Sequence, residues 1–205
     1  MSGHASHEQL ADIEARAAAV DMATTSATDL IDLALLYLEP AHREAEAIDL
    51  LEALLRREPG NAEARIWLSY ALLHFRFDEA NLTHAAELLA PLLDDPTHAA
   101  AAHLLLAEVQ DEQGGDLTQR ITLLERSVAL APDWVSNRQD LAWTYSEAGR
   151  HADAAAQLKE ALTATRTADP SWTIQQREFE ETITGRAAIG TEARLRDDLR
   201  EIERS

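Results

Sequence analysis

The chain of 205 residues has no cysteine, a single lysine and no long apolar run. Without cysteine it can form no disulfide framework and perform no thiol chemistry. No window approaches the roughly 20 apolar residues that a membrane helix needs, and the start lacks a basic segment followed by an apolar stretch. The sequence therefore predicts a cytoplasmic protein without a membrane span or secretion signal.

Positive charge is scarce as well. The formal net charge is -19, and residues 1–132 carry 23 acidic and 8 basic residues, against 14 and 10 in residues 133–205. An acidic surface repels phosphate backbones and anionic lipids, so we expect neither nucleic acid nor membranes as partners. Basic proteins, cationic segments or metal ions fit this charge better, although acidity also serves solubility alone.

Hydrophobic residues make up 46% of the chain, and they recur in a pattern of leucine, a small residue and a bulky residue four positions on. Related copies begin at Leu33, Leu68, Leu106 and Leu141, with spacings of 35, 38 and 35 residues. Spacing i, i+1, i+4 places these residues on one stripe of a helix. The best copy consists of Leu141, Ala142, Tyr145, Gly149, Ala154, Leu158, Ala161 and Leu162.

This pattern resembles the tetratricopeptide repeat, a helix-turn-helix unit of about 34 residues. The resemblance covers about residues 27–166 and implies an all-α fold, an α-solenoid of about four repeats that binds other proteins. The predicted segments are a flexible start at 1–5, an N-terminal helix at 6–22, repeats at about 27–60, 61–96, 97–132 and 133–168, and C-terminal capping or amphipathic helices at 170–205.

Repeat two departs most from the pattern. Its connecting turn, around residues 74–83, has four extra residues, which include Phe75 and Phe77, and Thr83 is expected to cap the following helix. Pro91 falls inside that helix, where it predicts a bend that costs about 3 kcal/mol. Phe75 and Phe77 are therefore candidate contacts on an exposed loop, unless they fold back over Pro91.

Repeat three carries Arg120 where the other copies have a small residue. This substitution predicts either looser packing or a local salt bridge. The Gly114-Gly115 pair of this repeat and Gly149 of the next supply the permissive backbone that tight turns favour.

In the resembling family the first helix of each repeat lines a concave groove, which implies a peptide-binding site here. Trp143 and Tyr70 are its candidate hot spots, unless they pack against neighbouring helices. Glu108, Asp111, Glu112 and Glu147 could pair with arginine or lysine of a bound segment. The full set of positions is Ile31, Leu35, Leu38, Glu39, Ile66, Tyr70, Leu73, His74, Leu104, Glu108, Asp111, Glu112, Gln139, Trp143, Ser146 and Glu147.

Signals of catalysis are weak. The chain has no nucleophile elbow, no phosphate loop and no His-Glu-x-x-His helix. His98 and His103 are five residues apart, slightly off one helical face, and a metal site needs three or four converging ligands. We therefore expect no enzyme activity, no cofactor and no metal.

The favoured function is an adaptor or scaffold that holds an apolar or cationic segment of another protein. The alternatives are a client-specific chaperone of the secretion or assembly type, as small acidic repeat proteins are in bacteria, and an accessory subunit of an enzyme complex. At the C-terminal end, Leu195, Leu199 and Ile202 form an apolar stripe that could pair two copies into a homodimer, fill the groove of the same chain or extend a cap formed by a helix around Trp172.

Overall fold

The computed structural model of the protein describes residues 7–38, 41–76, 78–167 and 188–204, and these ranges contain helices and turns but no strand. Glu39, Phe77 and the predicted Trp172 helix lie outside the described residues, as does the start at 1–5. The helices are α1 (His7–Ala19), α2 (Ala27–Leu38), α3 (Glu44–Arg57), α4 (Ala62–Phe75), α5 (Glu79–Leu89), α6 (Ala99–Glu112), α7 (Leu117–Leu130), α8 (Val135–Glu147), α9 (His151–Thr167) and α10 (Ala188–Ile202).

The chain divides into two compact units, Met1–Leu92 and Leu93–Ser205, here called unit one and unit two. In unit one, α2 packs on α3, α3 on α4 and α4 on α5, as the repeat pattern predicts. The small-residue positions Ala47 and Ala85 are completely buried, which allows close approach between helices. Ser26 caps α2, since its Oγ accepts from the Asp29 amide at 3.1 Å and donates to the Asp29 carboxylate at 2.6 Å.

Repeat two is more regular than the sequence predicted. Asp78, not Thr83, caps the following helix, because its carboxylate accepts from the Asn81 amide at 2.8 Å. The extra residues therefore extend the two helices, and Phe75 is the last residue of α4 rather than part of a loop. Pro91 does not bend α5, because the α-helix ends at Leu89 and Pro91 lies in a following 3-10 turn, Ala90–Leu92.

In unit two, α6 to α9 pack in chain order, and α10 packs on α9. Gly114 and Gly149 end α6 and α8 with φ angles of 65° and 72°, the left-handed conformation that favours glycine after a helix. Ala154, the small residue of repeat four, is completely buried. Its counterpart Arg120 is also buried, with its guanidinium in a salt bridge, so the second of the two sequence predictions for this position is confirmed.

The apolar stripe of α10 faces its own chain. Leu195 is 0% and Ile202 8% exposed, and Lys159 of α9 contacts Glu203 at 2.8 Å. The side-chain amide of Gln139 on α8 donates to Asp198 at 2.8 Å. Two of the three residues of this stripe are thus covered within unit two, and Leu199 is half-buried.

A buried polar connection joins three successive helices of unit two. The Ser127 hydroxyl of α7 donates to the Ala100 carbonyl of α6 at 2.8 Å. The side-chain amide of Asn137 on α8 donates to the Ala131 carbonyl at 3.0 Å and approaches the Ser127 hydroxyl at 3.4 Å. Ser127 and Asn137 are both completely buried.

Among the described residues, no helix has the length and apolar character to cross a membrane.

Candidate interaction surface

The predicted groove positions of unit one are mostly inaccessible. Because α2 packs against both α3 and α4, and α4 also packs on α5, side chains on several faces of α2 and α4 are covered. Leu35 is half-buried and His74 exposed, whereas the buried positions are Ile31, Leu38, Ile66, Tyr70 and Leu73. The repeat register identified the correct helices, but not which of their side chains reach solvent.

Tyr70 belongs to an aromatic cluster along α4. Its ring centroid lies 6.0 Å from that of Trp67, 4.4 Å from that of His74 and 6.1 Å from that of Phe75. The surrounding protein desolvates the imidazole and lowers the pKa of His74 to about 4, although the residue keeps an exposed edge. Tyr70 is 6% exposed, so it supports the packing of α4 rather than presenting a free ring to a ligand.

Trp143 is the most exposed large apolar side chain of the described residues, with 49% of its surface in solvent. It lies in the middle of α8, one turn before the exposed Glu147. The two neighbours of Trp143 along the helix, Ala142 and Thr144, are buried against the packed side of α8. The Trp143 side chain lies away from this packed side, so the helix holds the indole in place while the ring remains accessible.

The four carboxylates predicted to pair with a bound segment come from two helices. Glu108 is half-buried, while Asp111 and Glu112 are exposed on the last turn of α6, and Glu147 ends α8. We call these four residues, together with Trp143, the α6–α8 face.

Arg120 of α7 joins the two helices beneath this face. Its Nη1 atom lies 2.9 Å from Asp111 Oδ1 and 2.9 Å from Glu147 Oε2. The Arg120 side chain is 11% exposed, and each carboxylate is 56% exposed. Two of the four predicted ligand-pairing carboxylates thus already have a cation from the same chain. The sequence marked Arg120 as a misfit, but not as part of the site.

The remaining predicted positions of unit two are buried or half-buried. Leu104 is 1% exposed in the packed interior of α6, and Gln139 is completely buried beneath Asp198 of α10. Ser146 is half-buried, and its hydroxyl lies 3.5 Å from His151 Nδ1. Leu104 and Gln139 are therefore inaccessible to a ligand, whereas Ser146 keeps part of its surface in solvent.

Within the described ranges no group of three or more histidine or acidic side chains is placed to hold a metal ion. His98 instead stabilises the start of α6, where its Nδ1 lies 2.8 Å from Asp95 Oδ1. The hydrogen bond from His98, together with bonds from backbone amides, lowers the pKa of Asp95.

Similarity to known proteins is found at the level of structure. No protein-family model and no curated protein matches the sequence. A crystal structure of MamA superimposes with a TM-score of 0.61 at 22% identity, covering 78% of this chain and 91% of that chain. MamA 41-end from Desulfovibrio magneticus RS-1 gives 0.63 at 16% identity, with 80% and 89% covered.

A third similar structure is TTC0263, a thermophilic TPR protein of Thermus thermophilus. It superimposes with a TM-score of 0.59 at 19% identity, covering 86% of this chain and 91% of that chain. Identities this low carry information about the fold alone. The fold of this chain is therefore that of the tetratricopeptide repeat, as the recurring pattern of leucine, small and bulky residues predicted.

Proposed function

We propose that the protein is an adaptor whose α6–α8 face binds a peptide or helical segment of another protein. The observation that carries this proposal is the exposure of Trp143, at 49%, on a helix otherwise fixed by its packing. Tryptophan is enriched among residues that dominate binding energy, because it offers a large contact area at low entropic cost. Stacked helix pairs commonly use such surfaces for binding rather than for catalysis.

The chemistry of the face favours an apolar anchor next to a cation. An aliphatic or aromatic side chain of the partner would cover the Trp143 indole, and an arginine or lysine could lie over the ring or beside Glu112. The net charge of -19 supports the same choice, because it attracts basic segments and repels acidic ones. Leu35 and His74 of unit one remain predicted contacts of a partner, with a smaller expected contribution to the binding energy.

The test is affinity capture from the native host with the full chain, followed by mass spectrometry. We expect Trp143→Ala to weaken capture of the partner about 30-fold, the effect of losing a hot spot of about 2 kcal/mol. Leu130→Ala is the matched control, because it also removes an exposed apolar side chain, 42% exposed, but from the end of α7. Both variants should keep the wild-type thermal melt.

Equal recovery of the partner by Trp143→Ala and wild type would refute the assignment of the face. A recovered protein that becomes soluble only when it is co-expressed with this chain would instead make the chain a client-specific chaperone.

A further inference from the structure

Arg120 occupies a position that its repeat counterparts give to a small side chain. Ala47, Ala85 and Ala154 stand at the corresponding places and are completely buried. A guanidinium at such a place loses most of its water, and burial of an unpaired charge is strongly unfavourable. Its two contacts, with Asp111 and Glu147, supply the compensation.

The two carboxylates also need a cation. Asp111 lies in the last turn of α6, and Glu147 is the last residue of α8. A negative side chain is unfavourable there, because the unpaired carbonyl groups give the C-terminal end of a helix a partial negative charge. Arg120 lies on the first turn of α7 and reaches both carboxylates with one nitrogen.

A positively charged side chain of a partner would compete with Arg120 for these two carboxylates. To pair with Asp111 or Glu147 it must displace an arginine that is tethered to the same fold and therefore present at a high effective concentration. Glu112 follows Asp111 on the exposed end of α6. The two salt bridges that hold the Arg120 guanidinium are made by Asp111 and Glu147, not by Glu112.

We propose that Arg120 is a specificity-determining residue of the α6–α8 face, an internal cation that excludes a partner's arginine or lysine from the space between Asp111 and Glu147. The partner's positive charge is thereby directed to the side of Glu112. This inference rests on the proposed function only in assigning partner binding to this face.

The test measures binding of a fluorescein-labelled hexa-arginine peptide by anisotropy at low salt, with hexa-citrulline as the neutral probe. Arg120→Met keeps a long apolar stem in the buried position and removes the internal cation. We expect it to bind hexa-arginine about tenfold more tightly than the wild type, which corresponds to about 1.4 kcal/mol. Hexa-citrulline binding should not increase.

Arg126→Met is the matched control, because Arg126 is exposed on the same helix and its loss changes the net charge equally. A gain in Arg126→Met as large as in Arg120→Met would refute the proposal, since net charge alone would then explain it. No gain in Arg120→Met would refute it as well. Replacing Asp111 by Asn and Glu147 by Gln in the Arg120→Met background should return the affinity to the wild-type value.

Arg120→Gln provides a second variant if circular dichroism shows that Arg120→Met does not fold, and the same gain is expected of it. The hexa-arginine assay does not require the native partner. A gain with hexa-arginine combined with unchanged capture by Trp143→Ala would therefore refute the adaptor assignment alone. No gain with hexa-arginine, combined with weakened capture by Trp143→Ala, would refute the role of Arg120 alone.

Discussion

Replacement of Leu195 by alanine is expected to release α10 from α9 while the rest of unit two stays folded. Leu195 is 0% exposed, and Ile202 is the other buried apolar side chain among those described on this helix. Each contributes about 1.5–3 kcal/mol through burial, the Gln139–Asp198 hydrogen bond about 1 kcal/mol, and the exposed Lys159–Glu203 pair at most about 1 kcal/mol.

The free energy lost through Leu195→Ala is comparable to the contributions that hold α10 in place. Truncating a fully buried leucine to alanine costs about 2–5 kcal/mol, through lost burial and the cavity that remains. Because α10 packs mainly on one helix, α9, it can open locally instead of unfolding the whole unit.

Amide hydrogen exchange followed by mass spectrometry measures this opening. We expect Leu195→Ala to accelerate exchange at least about tenfold across α10, while α8 and α9 keep their protection. Leu130→Ala, at an exposed leucine, should change neither region. Unchanged protection of α10 would refute the reasoning, and so would a simultaneous loss across α8, α9 and α10, because α10 would then be an inseparable part of the core.

Two further predictions concern a turn and a titrating side chain. Gly115→Ala should lower the free energy of urea unfolding by about 1–3 kcal/mol, because the new Cβ would lie 2.8 Å from the Gln110 carbonyl oxygen, whereas Gly60→Ala has open space and should be neutral or slightly stabilising. His74→Gln should lose less stability than the wild type when the pH falls from 6.5 to 4. With a folded pKa of about 4, wild-type His74 takes up a proton in the native state only near the lower end of this range, whereas it does so in the unfolded chain from about pH 6.5 downward. Equal urea midpoints of Gly115→Ala and wild type, or parallel pH profiles of His74→Gln and wild type, would contradict these expectations.

The helix pairs could be predicted from the sequence because their signals are local. Gly149 adopts the positive φ that a helix end requires, and Ser26 caps α2 as its spacing to Asp29 indicates. Repeat two was predicted less well, since Asp78 and Thr83 are both suitable capping residues and the choice between them shifts the start of α5. The structure selects Asp78, and the long loop disappears.

The candidate site was harder to predict, because exposure depends on how deeply neighbouring helices cover each position. Tyr70 and Trp143 stand at equivalent places in the repeat, two residues after the conserved leucine, yet they are 6% and 49% exposed. Gln139 is covered by Asp198, a residue 59 positions away. Contacts over such separations leave no periodic signal in the sequence.

The buried connection from Ala100 through Ser127 to Asn137 bears on how such an array can change during evolution. Duplication or exchange of whole repeats preserves apolar packing, because leucine and alanine stripes are nearly interchangeable between neighbours. A buried amide and hydroxyl are not interchangeable, since each must meet its own partner at 2.8 to 3.4 Å or remain unsatisfied. Repeats three and four are therefore tied to each other as an ordered pair, and an insertion between them would carry a penalty that insertions at purely apolar junctions avoid.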